Sequence, residues 1–219
     1  MGHSDKSQGL SGRRYGGLDA EERRARRRET FLEAALEICG TAGRADLTLR
    51  NVCRQAGLTE RYFYESFKDR DDLLSALYDQ LTSRILDTTY AAVAAAPPTL
   101  ADQARAGMHA FVHAVADDVR EARIVFVEVV GATPRLEEQR YRVTRDFARN
   151  NAELAAVHLG VPVNTRLLTG AMVLTGGAAH TMAQWALGHL DSSLDEIADV
   201  ITDLFMTAYR QIEAEIAST

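Results

Sequence analysis

The sequence predicts an all-α protein, with a small N-terminal helical unit followed by a larger helical domain. Three observations predict it. Apolar residues recur at three- and four-residue steps, as in Phe31, Leu32, Ala35, Ile38, Cys39 and Ala42, which gathers them onto one helix face. Ala, Leu, Glu and Arg abound while β-branched runs are scarce, a composition that favours helix over sheet. Capping residues, glycines and prolines punctuate the chain at helical intervals, with no alternating strand pattern between them.

Each element follows in order. Residues 1–17, polar and glycine-rich, read as a flexible arm. Asp19 with Glu22 three residues on is a helix start, and the basic run Arg23 to Arg28, interrupted only by Ala25, lies inside that helix. Gly40 and Gly43 end it. Thr48 caps a short second helix, with Leu47 and Val52 as its hydrophobic staple, and Gly57 stops it by taking a left-handed conformation at little cost. Thr59 caps a third short helix, stapled by Leu58 and Phe63. Asp69 and Asp72 flank the start of a fourth, broken at Pro97-Pro98. Further helices cover roughly residues 99–116 and 119–130. Another starts at Thr133-Pro134 and ends at Leu159, and one runs from an Asn164 cap to about His189. The last opens on the capping box Ser193-Leu194-Asp195-Glu196 and carries the stripe Ile197, Val200, Ile201, Leu204, Phe205, Ala208 and Ile212.

With 219 residues the chain is one large domain or two small ones. It has 46% hydrophobic and 26% charged residues, a balance that excludes wholesale disorder. Two cysteines exclude a disulfide framework, no apolar run is long enough to span a bilayer, and a cytoplasmic setting with no membrane partner is expected. The net charge of −6 hides an asymmetry. Residues 1–70 hold 14 Lys and Arg against 11 Asp and Glu, while residues 71–219 are net −9. A basic N-terminal third before an acidic remainder points to a polyanion-binding module, or simply to a solvated charged face.

The stretch Leu47 to Leu74 reads LTLRNVCRQAGLTERYFYESFKDRDDLL. Two short helices meet through Gly57, with Cys53 as the small residue at their crossing and Val52, Leu58 and Phe63 locking the angle. This is a helix-turn-helix, whose second helix can enter a DNA major groove. With the preceding long helix, the segment resembles the DNA-binding domain of the TetR family of transcriptional repressors. That family carries a Tyr-x-x-Phe-x-x-Lys-x-x-Leu-Leu-like signature, read here as Tyr64-Glu65-Ser66-Phe67-Lys68-Asp69-Arg70-Asp71-Asp72-Leu73-Leu74. Detailed similarity covers residues 20–75. Arg70 replaces the family's usual lysine and keeps its charge. Tyr62 is bulky where many relatives have a small hydroxyl residue. Glu60, early in the recognition helix, either reads a cytosine amine or supports the positive helix end.

The resemblance and side-chain chemistry give the expected DNA contacts: Thr48, Thr59 and Tyr64 hydroxyls and Lys68 and Arg70 charges for phosphate, and Arg50, Arg61 and Tyr62 projecting from the two helices. Arg61 is the candidate for guanine. Arg13, Arg14 and the cluster from Arg23 to Arg28 either embrace the DNA backbone or form a solvated face, while Phe63 and Phe67 are core. The expected domains are an arm at 1–17, a DNA-binding domain at 18–68 and a ligand-binding and dimerisation domain at 69–219. The resemblance implies a homodimer on a double-stranded DNA operator, released by a small-molecule effector. Broad apolar faces on the last two helices, with Gly170, Gly176 and Gly177, suit a four-helix dimer interface or an intramolecular core. Met108, Phe111, Phe126, Tyr141, Phe147, Met172 and Trp185 are candidate walls of a largely apolar pocket. Thr175, with His180 and Gln184, would orient the ligand.

Two other readings stay open: a DNA-binding regulator without a small effector, and a metal-dependent helical enzyme. The second rests only on His109, His113 and Asp117, spaced four apart, which can line up ligands but also occur as pocket polarity or surface. No metalloprotease, nucleophile-elbow, phosphate-loop or dinucleotide motif is present, so no catalytic residue or cofactor is assigned.

Overall fold

A computed structural model describes residues 12–218, with side chains described for 19–216 and for 218. Among these residues every regular element is helical: α1 (Gly12–Thr41), α2 (Leu49–Ala56), α3 (Glu60–Ser66), α4 (Arg70–Ala95), α5 (Leu100–Ala116), α6 (Val119–Arg123), α7 (Pro134–Leu159), α8 (Thr165–Ala186) and α9 (Leu194–Ala217). A 3₁₀ turn, Arg44–Asp46, precedes α2, and a π turn, Ile124–Glu128, follows α6. No helix among the described residues is long and apolar enough to cross a membrane.

The caps explain most boundaries. Thr48, Asp69, Thr99, Thr133, Asn164 and Ser193 each accept a backbone N–H from the first turn of the helix they open, and Ser193 with Glu196 completes the capping box. Gly57 ends α2 at φ 65°, its N–H turned back to Cys53 and Arg54 carbonyls. Asp19 is different. It lies inside α1, which begins at Gly12, and pairs with Arg23 one turn on. Of the expected arm, residues 1–11 lie outside the described residues and 12–17 belong to the first turns of α1. Thr59 stands at the N-cap of α3, but its hydroxyl makes no capping bond.

Phe31 of α1, Phe63 of α3 and Phe67 form the aromatic centre of the N-terminal unit, with Phe31–Phe63 ring centroids 5.5 Å apart and nearly perpendicular. Leu47 and Val52 are fully buried beside it. The larger body packs α4 on α5, α5 on α9 and α7 on α8. Gln139 of α7 bonds the Ser75 hydroxyl and carbonyl of α4 at 2.6 and 3.1 Å, satisfying a buried polar pair between the two helices.

The α6 region joins the two parts. Arg120 ion-pairs with Glu37 of α1, and Glu121 pairs with Arg84 of α4. Glu128, in the π turn, accepts the Arg44 backbone N–H at 2.8 Å and the Arg123 guanidinium at 3.1 Å. The extra residue of a π turn explains why a continuous helix over 119–130, as the periodicity predicts, changes pitch at Ile124.

Candidate nucleic-acid interface and effector cavity

Short α2 and α3 present one exposed surface. Thr48, Arg50, Thr59, Arg61, Tyr64, Lys68 and Arg70 all stand at the surface; the Arg61 side chain is 86% exposed and Tyr64 is 60% exposed. The Thr48 hydroxyl accepts the Asn51 N–H at 3.2 Å, and Asn51 in turn donates to the Asp46 carbonyl at 2.9 Å. Among the described residues Arg61 meets the Glu65 carboxylate, 3.3 Å away on the next turn, an exposed pair worth little. Arg70 lies 3.7 Å from Asp71, in another exposed pair. Both guanidiniums can therefore exchange their partners for a nucleic-acid acceptor cheaply.

Tyr62 is half-buried rather than projecting. Arg27 of α1 stacks over its ring at 4.5 Å. Arg28 stacks over Phe67 at 4.5 Å, and Arg24 donates to the Glu65 carbonyl at 2.6 Å. Arg27 also reaches the Glu65 carboxylate at 3.6 Å. Three arginines of the basic run thus brace α3 against α1, a role that neither a DNA-embracing nor a solvated reading anticipates. The spacing Arg24, Arg27, Arg28 carried the signal, because three- and four-residue steps put all three on one face. The side chains of Arg13 and Arg14 lie outside the described ones.

Two cavities lie in the larger body and share Phe147 and Thr175. One, about 290 Å³, lies among α4, α7, α8 and the π turn, with Ile85, Phe111, Val125, Phe126, Arg140 and His180 in its wall. The other, about 360 Å³, includes Tyr90, Met108, Leu154, Leu174 and Phe205. Of the expected walls, Met108, Phe111, Phe126, Phe147 and Thr175 are placed there, and so is His180. Tyr141, Met172 and Trp185 are not. Tyr141 is exposed with Arg140 stacked on it, because it follows Arg140 on the outward side of α7. Met172 points outward from α8 beside Val173. Trp185 packs against the core near the end of α8. Gln184 bonds His189 at 3.1 Å instead of facing the cavity. Sequence reasoning missed Arg140, Tyr90 and Asn150, the last two joined by a 2.6 Å hydrogen bond at the second cavity.

The cavity walls hold two orphaned polar atoms. Among the described residues, Thr175 Oγ1 and Arg140 Nε are buried without a hydrogen-bond partner. Arg140 is otherwise held by Glu137 at 2.8 Å, which keeps the Glu137 carboxyl below its usual pKa, aided by the Gly131 N–H.

His109 and His113 do share one face of α5, but Asp117 does not join them. Asp117 turns to Arg84 at 3.9 Å, while Asp195 and Asp199 of α9 take the facing positions.

Comparison with known proteins accords with this architecture. Residues 31–77 match the family model described as bacterial regulatory proteins, tetR family. The HTH-type transcriptional regulator BetI of Klebsiella pneumoniae (strain 342) is 23% identical over 67% of this chain and 83% of its own length. The fatty acid degradation regulator FadR from Bacillus halodurans has the same fold, with a TM-score of 0.72 at 14% identity, covering 82% of this chain and 94% of that one. The transcriptional regulator FadR from Bacillus subtilis, solved in complex with stearoyl-CoA, gives 0.71 at 14% identity, over 82% and 98%. Residues 31–77, which hold the helix-turn-helix, are thus similar to the DNA-binding region of bacterial regulatory proteins of the tetR family, and the whole chain shares the all-helical fold of the solved transcriptional regulators.

Proposed function

We propose that this regulator is a cytoplasmic, homodimeric repressor that binds a palindromic DNA operator and is released by a small, largely apolar effector. Residues 18–68 would form the DNA-binding domain and 69–219 the effector and dimerisation domain. Thr48, Arg50, Thr59, Arg61, Tyr62, Tyr64, Lys68 and Arg70 form the proposed DNA surface, with Tyr62 contributing only its exposed edge.

One observation carries the effector reading: two apolar cavities meet at Phe147 and Thr175, and their walls hold an unpartnered hydroxyl and an unpartnered guanidinium N–H. Buried polar atoms are normally satisfied, so the pair suits a ligand with an apolar body and an acceptor-bearing end. Together the cavities fall within the ~300–1,000 Å³ typical of small-molecule sites. The stearoyl-CoA held by a protein of the same fold supports a long-chain amphipathic ligand.

Dimerisation would use α8 and α9. Met172 and Val173 on α8, with Val200 and Leu204 on α9, are large apolar residues left exposed on the surface of the described chain. A methyl added at Gly170 or Gly177, which stand with Val173 at helical spacing, would meet nothing within 4 Å, so this face of α8 is open to close helix approach. A two-fold dimer would set its recognition helices about 34–36 Å apart, one turn of DNA. Effector bound preferentially in a wider-spaced state would lower operator affinity by that differential affinity.

The test is selection of bound fragments from source genomic DNA with the purified chain at near-physiological salt, followed by challenge with long-chain fatty acids and their thioesters. A palindromic site that is released by one of these ligands is expected. Absence of any enriched site from folded, dimeric protein would overturn the operator, and a site insensitive to every apolar ligand would overturn the effector.

A further inference from the structure

Opposite the cavities, α5 and α9 face each other with two pairs of metal-ligating side chains, each pair four residues apart. His113 Nε2 lies 2.9 Å from Asp195 Oδ1, and His109 Nε2 lies 3.0 Å from Asp199 Oδ1. His109 Nδ1 is also 3.6 Å from Asp195 Oδ1, so Asp195 is shared between the two imidazoles. The rings are nearly parallel, with centroids 6.3 Å apart. One ligand atom from each of His109, His113 and Asp195 falls in a group within 4.8 Å of one another.

We propose that His109, His113 and Asp195 form a surface site for a divalent transition-metal ion, Zn²⁺ or Co²⁺ by its chemistry, that bridges α5 to α9. Residues four apart on a helix project from the same face one turn apart, so two imidazoles at that spacing form a chelate. Nitrogen with carboxylate oxygen suits borderline cations rather than Ca²⁺ or Mg²⁺, which take all-oxygen shells. Tetrahedral zinc places its ligand atoms about 3.4 Å apart, given metal–ligand bonds near 2.0–2.2 Å. The two imidazole–carboxylate separations, 2.9 and 3.6 Å, lie around that value, and the third, between the two imidazoles, is under 4.8 Å, within reach of side-chain rotation.

The surroundings favour a cation as well. Asp195 and Asp199 bring two negative charges, and Arg105, 3.3 Å from Asp199, offsets one. Asp102 lines the same groove. Asp199 accepts from His109 or Arg105 and so acts as the positioning carboxylate behind the imidazole, the usual partner of a metal-bound histidine. Partial exposure leaves the site reachable, with water completing the shell.

Full-length protein titrated with CoCl₂ should develop the visible absorption of a low-symmetry site and saturate at one ion per chain, and ZnCl₂ should displace it. Zn²⁺ should also raise the melting temperature, because it binds only when α5 and α9 are folded together. The double variant His109→Ala, His113→Ala should lose both responses while keeping its helical circular dichroism, since neither ring is in the core. Asp199→Asn should weaken binding roughly 10–100-fold without abolishing it. Failure of the wild type to saturate at millimolar metal would overturn the site. So would undiminished binding by the double variant, which would place the ion elsewhere on the chain.

Discussion

Gly40 of α1 sits against Arg120 of α6 so closely that a methyl group at Gly40 would overlap Arg120 Cβ and stand 3.0 Å from its Cα. The helix carrying the DNA-binding core and the helix next to the proposed effector cavity therefore pack closely at this glycine. Gly40→Ala gains up to ~1 kcal/mol of helix propensity. Overpacking against atoms that cannot swing away costs ~1–3 kcal/mol, and the cost wins. Urea denaturation should show a lower midpoint with an unchanged slope. An unaltered midpoint would mean that α1 and α6 part freely.

The same contact gives an acid sensitivity. Arg120 donates to the Asp118 carboxylate at 2.5 and 3.0 Å and holds its pKa below the ordinary value, outweighing partial burial. A carboxyl depressed in the folded state stabilises above its unfolded pKa, near 4, and that contribution is lost as pH falls through the folded value. Wild-type stability should therefore fall below about pH 4, and Asp118→Asn should start lower at neutral pH with a shallower acid limb. Parallel acid limbs in denaturation at pH 3 to 7 would remove Asp118 from the account.

Arg61→Ala should weaken operator binding by ~1–3 kcal/mol and relax one base preference per half-site. Arg70→Ala should weaken binding on every sequence alike and reduce the salt slope by about one ion per subunit. Equal losses on specific and random DNA for Arg61→Ala would reassign it to phosphate, and an altered motif for Arg70→Ala would reassign that residue to bases.

Thr175→Val keeps the shape and deletes the orphaned hydroxyl. Leaving such a group buried costs ~1–3 kcal/mol, so the ligand-free variant should melt higher while responding less to effector. A variant that melts lower would show that the hydroxyl is satisfied within the chain.

Leu204→Glu places a charge on the apolar outer side of α9, away from the buried Ile201 and Ile197. Sedimentation should report a monomer of unchanged helicity, and operator affinity should collapse with loss of the paired half-site contacts. A stable dimer would move the interface off this face.

Much of this was legible in the sequence because it is local. Thr48, Gly57, Asp69 and Ser193 announce helix ends through chemistry within a few residues, and Leu47, Val52 and Phe63 announce the packing of the small N-terminal unit. The misses come from long-range partners. Asp117 looked like a ligand by spacing on its own helix, but the facing carboxylates arrive from α9, some eighty residues later. Tyr141, Met172 and Trp185 were named by size and hydrophobicity, and no helix periodicity says which apolar face meets a cavity and which faces outward. The stripe on α9 shows the same limit: Ile197 and Ile201 are buried, whereas Val200 and Leu204 are exposed. Arg140 escaped notice because a guanidinium in a cavity wall is legible only once Glu137 and Tyr141 are seen to hold it.

The π turn sets a rule for anyone retuning this protein as a sensor. Within five residues, Val125 and Phe126 wall the cavity while Glu128 holds the Arg44 amide. Substitutions there would alter ligand choice and the seating of the DNA-binding unit together, so a library at those positions confounds recognition with transmission. Phe147, Thr175 and His180, on α7 and α8, line the same cavity but lie outside the five residues that hold Arg44. Diversity placed there would alter the fit of the proposed effector while leaving the Glu128–Arg44 bond in place.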